Sequence, residues 1–158
     1  PLTSEGCVVT SNHTLKKLKK YIEIGTTPVV LVENVSWIKR NLWHQNKKEA
    51  NKIIEKWKAT WESLDPYAFI SKHSINFKSE NHDFEQRVAH ILRIIKSKTF
   101  IKVTVENMNL FYYPTNKKLI FSDFRQHYES NNFKTSSNKK LFWNQEKDGE
   151  WRILFEDT

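Results

Sequence analysis

The spacing of apolar positions changes along the chain. In "TLKKLKKYIEIG" Leu15, Leu18 and Ile22 share one face with lysines opposite, and Gly25 stops the pattern, which predicts a short amphipathic helix. The run from Val29 to Val32 is apolar and rich in β-branched residues, which predicts a buried strand. Periodicity then lapses, and "WIKRNLWHQN" (37–46) reads as a linker. In "KKEANKIIEKWKATWESLDP", Ala50, Ile53, Ile54, Trp57, Trp61 and Leu64 form the stripe of a helix packed on a core, ended by Asp65 and Pro66. "PYAFISKH" predicts a second, short helix. Phe84, Val88, Ile91, Leu92 and Ile95 predict a third.

Beyond Thr99 the period becomes two. "FIKVTVENMNLFYYP", "KKLIFSDFRQHYES", "KKLFWNQEK" and "EWRILFED" read as four strands, with "PTNK", "NNFKTSSN" and "DG" as connections. Asp148-Gly149 is the strongest turn signal, because a two-residue type I′ hairpin needs positive φ at both positions. Helices followed by antiparallel strands predict an α+β fold, with the helices on one face of a curved antiparallel sheet.

Composition narrows the partners. The 158 residues hold 26 Lys and Arg against 18 Asp and Glu, a formal charge of +8 that attracts polyanions in general. Six Trp, five Tyr and ten Phe with only three Gly argue for an ordered core rather than disorder. No apolar run approaches the roughly 18 residues of a membrane span, and the expected export signal lies upstream of this sequence. One cysteine excludes an internal disulfide. His82, His90 and His127 lack metal-ligand spacing, so no metal or other cofactor is expected.

That cysteine sits in "SEGCVV". A thiol becomes a nucleophile when a base or backbone dipoles lower its pKa, and Gly6 lets backbone N–H groups turn toward an oxyanion. An inert core thiol is the alternative. "TSEGCVV" followed by "LKKLKKYIEIGTTPVVLVE" resembles the end of a YkuD-type L,D-transpeptidase domain, with Ser4, Gly6, Cys7, Val8, Gly25, Thr27, Pro28 and Val29 matching. The resemblance implies that Cys7 attacks peptidoglycan stem peptides and that Gly6 and Cys7 supply oxyanion donors. It departs at Glu5 and Val9. The family's histidine base would lie upstream, so the isolated chain is expected to be inactive; His13 reads as a solvated residue.

On "IIEKWKATWESLD", "FRQHYES" and "KKLFWNQEKDGEWRILFED", residues 47–158 resemble the nuclear-transport-factor-2-like (NTF2-like, SnoaL-like) cone, which implies three helices packed on a strongly curved, cone-like antiparallel sheet. Together the resemblances imply three parts: the last helix and strand of a mostly-β catalytic domain (1–36), a linker (37–46) and an accessory domain (47–158). They imply a periplasmic, cell-shape-setting L,D-carboxypeptidase or L,D-transpeptidase. Its expected partners are stem peptides and other cell-envelope proteins, with a dimer allowed and nucleic acid not expected. The rival reading is a basic binding module for protein or nucleic acid.

The last hairpin locates a pocket. With Asp148-Gly149 as a two-residue turn, Trp143 pairs with Leu154, Leu141 with Glu156 and Lys139 with Thr158. Lys139, Leu141, Trp143, Leu154 and Glu156 then share one face. Lys139 suits a ligand carboxylate and Glu156 an amine. A surface ion pair worth about 0–1 kcal/mol accounts for the same residues, and a one-residue slip substitutes Lys140. Tyr67, Gln126 and Tyr128 are candidates for the mouth, each also suited to a structural hydrogen bond. Trp57 and Trp61 read as core.

Overall fold

The structure is a computed structural model that describes residues 9–24, 27, 29–31, 37–113 and 118–157. The chain divides into two units, Pro1–Ser36 and Trp37–Thr158.

In the first unit, helix α1 (Asn12–Leu18) starts where Ser11 Oγ accepts from the Thr14 N–H at 3.1 Å, and it runs into a 3-10 turn at Lys19–Tyr21. Val29, Val30 and Leu31 are exposed and carry no strand, which corrects the buried strand expected there. An apolar run becomes a strand only where a partner ladder and a covering layer receive it, and the described residues offer these three neither. Cys7 and Gly6 lie outside the described residues.

The second unit is built on helix α2 (Arg40–Glu62). Its first turns occupy the segment read as a linker, so the chain is helical from Arg40. Ala50, Ile54, Trp57 and Trp61 are the buried stripe, and Leu64 ends the helix at φ 59, in the left-handed region, with its side chain partly buried against the core. Asp65 caps α3 (Pro66–Ile70) by accepting from the Tyr67 and Ala68 N–H groups. Strand β1 (His73–Ser79) follows, then α4 (Phe84–Ile95), which opens with a reciprocal capping box between Asp83 and Gln86.

Strands β2 (Ile101–Tyr112), β3 (Leu119–Ser130), β4 (Phe133–Gln145) and β5 (Trp151–Asp157) complete one sheet of order β1-β5-β4-β3-β2. The expected fold is corrected in three respects. The described residues contain four α-helices, counting α1. The sheet has five strands, with β1 parallel to β5. It is open rather than strongly curved, with β1 and β2 at its edges, and one-residue bulges interrupt the β2–β3 and β4–β5 ladders. In one bulge Asn107 (φ 53) and Met108 oppose Phe124; in the other Leu154 is the extra residue. No separate preceding catalytic domain is seen among the described residues.

The final hairpin departs from its expected geometry and then returns to it. Glu146 and Glu150 are hydrogen-bonded across a three-residue loop in which Gly149 has φ +83, the arrangement of a type I turn followed by a left-handed residue. Trp143 therefore pairs with Ile153, not Leu154. The Leu154 bulge then absorbs the offset, and Leu141 meets Glu156 as expected.

Candidate functional site

A cavity of about 470 Å³ opens between the helices and the inner sheet face. Trp57, Trp61, Phe69 and Ile91 wall it from α2, α3 and α4, and Trp61 stacks on Phe69 with ring centroids 4.0 Å apart. Gln126 and Tyr128 enter from β3, and Phe133, Thr135 and Lys139 from β4. Trp57 and Trp61 are thus core and pocket wall at once. Gln126 is 5% exposed and its Oε1 has no hydrogen-bond partner among the described residues, nor has Trp57 Nε1.

Charge is concentrated at one corner. Glu156 is buried and bonded by both Arg87, at 2.8 Å, and Lys139. Burial pulls the Glu156 carboxyl upward, but Lys139 and then Arg87 overcome it and hold the group at about 2. His73, behind the same corner, is lowered to about 4 by burial and then by Arg87, so it is neutral at pH 7. His90 is also lowered, by burial first and then Arg87. Lys98 lies at the mouth, bonded to Asn132. Three cations, Arg87, Lys98 and Lys139, therefore line this pocket, two of them bonded to the buried carboxylate of Glu156.

The sequence candidates separate accordingly. Lys139 and Tyr128 line the pocket, and Glu156 anchors Lys139. Lys140 points to the opposite face, 3.5 Å from Asp157, so the slip alternative is excluded. Tyr67 is 74% exposed and stands outside. Trp143 is buried beneath the floor, its Nε1 donating to Ser122 Oγ at 2.9 Å, and borders a different cavity. Arg87, His90 and Lys98 were missed. The signal was present, since Arg87, Ile91, Ile94 and Lys98 recur at helical offsets, which puts the cations on the same stripe as the core residues.

A second polar chain runs across the outer sheet face. Ser136 Oγ lies 2.7 Å from His127 Nδ1, and His127 Nε2 lies 3.0 Å from Glu106 Oε2. The order hydroxyl, imidazole, carboxylate is that of a catalytic triad. Here it lies on an open face, half exposed, where water competes for each bond. Among the described residues no group of three His, Cys, Asp or Glu is placed to hold a metal ion.

Residues 49–157 match the family described as the Cds6 C-terminal NTF2-like domain. The chain belongs to that family. The NTF2-like resemblance therefore stands, and the YkuD-type reading of the chain is corrected: the family shown is a single NTF2-like domain, and the described residues of the first unit form a helix and a 3-10 turn without the closing strand of a catalytic sheet. Among solved structures this Cds6-type domain resembles Bd1075 of Bdellovibrio bacteriovorus, at 23% identity and TM-score 0.85 over 98% of this chain and 54% of that one. It also resembles a variant of the helical cell shape determining protein Pgp2 from Campylobacter jejuni, at 21% identity and TM-score 0.72 over 96% and 53%. An NTF2-like protein of unknown function from Pseudomonas putida shares 10% identity over 72% and 84%, with TM-score 0.58. These likenesses show the fold. The chain spans about half the length of the first two. No curated protein matches it.

Proposed function

We propose that this domain is the ligand-holding part of a cell-envelope protein that acts on peptidoglycan and sets cell shape, and that its pocket takes a carboxylate-bearing stem peptide. The observation that carries the reading is Lys139, held with Arg87 on Glu156 at the corner of an aromatic-walled cavity. Such a pocket has a net positive charge, apolar walls for the aliphatic parts of a peptide, and an unpaired amide oxygen, Gln126 Oε1, for its backbone. With both Glu156 oxygens engaged, the ligand's carboxylate addresses the cations, and an amine on it is not required. The likeness to a cell-shape-determining protein supports the choice of polymer. Stem-peptide trimming or cross-linking, L,D-carboxypeptidase or L,D-transpeptidase chemistry, would be the parent's activity, and this domain's share in it is binding.

The test is titration of the 158-residue chain with purified muropeptides and, separately, single-stranded DNA at physiological salt. Muropeptides are expected to bind and DNA not to. Lys139→Met should weaken muropeptide binding by about tenfold, the effect of losing one charge-assisted contact of roughly 1.4 kcal/mol, while the protein still melts cooperatively. Binding of DNA alone, or unchanged muropeptide affinity in Lys139→Met, would overturn the reading in favour of a basic binding module.

A further inference from the structure

Beneath the N-terminal half of α2, where β4 and β5 approach their hairpin, two further cavities of about 200 and 310 Å³ meet. Glu49, Gln145 and Trp151 line both, so the two form one trough. Tyr112, Tyr113 and Lys118 wall one part, and Lys52, Lys56 and Lys72 the other. Tyr112 and Tyr113 are 42% and 46% exposed. The Tyr112 hydroxyl donates to the Asn46 carbonyl at 3.1 Å, which ties the start of α2 to the wall. Gln145 Nε2 donates to the Gly149 carbonyl at 2.9 Å, which orients that amide. Trp151 is half-buried, and its Nε1 proton has no acceptor among the described residues.

Four aromatic residues, counting Trp143, beside two amides, two carboxylates and four ammonium groups make a lining that suits a saccharide. The C–H face of a pyranose packs on an aromatic ring, while its hydroxyl and N-acetyl groups need directional donors and acceptors close by. A buried indole N–H without a partner is a donor awaiting such a group. We propose that the trough binds a β-linked N-acetylated amino-sugar chain, the glycan strand of peptidoglycan, with its lysines set against the carboxylates of the peptides attached to such a strand. The choice of saccharide rests on the peptidoglycan reading above, but the residues are different. The trough and the Lys139 pocket lie back to back across Trp143 and Trp57, whose ring centroids are 6.5 Å apart.

The test is an NMR titration of the whole chain with the β-1,4-linked tetramer of N-acetylglucosamine, and in separate arms with free stem peptide and with inorganic phosphate. The tetramer is expected to shift the Tyr112, Tyr113 and Trp151 signals saturably, the Trp151 indole N–H most. Tyr113→Ala should weaken it by about tenfold, the loss of one ring contact. The indole shift in the unaltered protein stands as the readout if that variant does not fold. Absence of a saturable shift at these residues, or an equal shift with phosphate, overturns the glycan site. If stem peptide moves the Lys139 pocket and the tetramer moves nothing, only this inference fails. If the tetramer moves the trough and stem peptide moves nothing, only the pocket reading fails.

Discussion

Glu156 and Glu106 each close a short chain of polar side chains, one on the inner face of the sheet and one on the outer. Glu156 joins Arg87 and Lys139 at side-chain exposures of 8%, 18% and 12%; Glu106 joins His127 at 54% and 36%. On the inner face Glu156 is shut off from bulk water, so its charge depends on Arg87 and Lys139 for its solvation. On the outer face it can, and the same kind of contact contributes little. That contrast favours the inner cluster as the proposed ligand site, although the outer one has the more suggestive order of groups.

The contrast is open to attack at its strongest point first. Glu156→Gln leaves Arg87 and Lys139 without their countercharge and is expected to destabilise the fold by about 3–5 kcal/mol, whereas Glu106→Gln should cost about 1 kcal/mol or less. Denaturant melts of both variants measure the difference, and equal losses would remove the distinction.

Acid should act on the inner face in two stages. His73 is held at about 4 in the fold against 6.5 unfolded, so its contribution is complete above 6.5 and is lost as the pH falls from 6.5 through 4. Glu156 is held at about 2 against 4.5, so its contribution is complete above 4.5 and is lost as the pH falls toward 2. Each is on the order of 3 kcal/mol at most. Melting temperature against pH is expected to fall below 6.5 and again below 4.5, and His73→Phe should remove most of the first decline, to which His90 also contributes.

The smallest effect belongs to the outer chain. His127→Ala and Ser136→Ala should each change stability by about 0–1 kcal/mol and leave muropeptide binding unaltered. A loss of binding in either variant would move the functional site to the outer face.

Helices were legible where burial imposed a period. The stripe from Ala50 to Trp61 announced α2, and the alternation in β3 announced its inner face. The first half of β4 reads as a loop in the sequence because "NNFKTSSN" has no apolar alternation. Phe133 and Thr135 border a cavity rather than a packed core, so the strand there carries no hydrophobic signature. β1 was missed for a related reason: of its two apolar residues Phe77 is buried and Ile75 is 75% exposed. Lys139 and Glu156 were found on one face through a hairpin register that was wrong at the turn and restored by the Leu154 bulge.

The order of apolar and polar residues by itself determined that helices precede strands and that Lys139, Leu141, Trp143 and Glu156 share the inner face, because periodicity and hairpin pairing act between near neighbours in the chain. Only the tertiary structure brought Arg87 to Glu156, 69 positions away, and divided Trp143 from the pocket that Trp57 lines. Electrostatic solvation and cavity shape depend on which elements pack together, and no local pattern of residues encodes those distances.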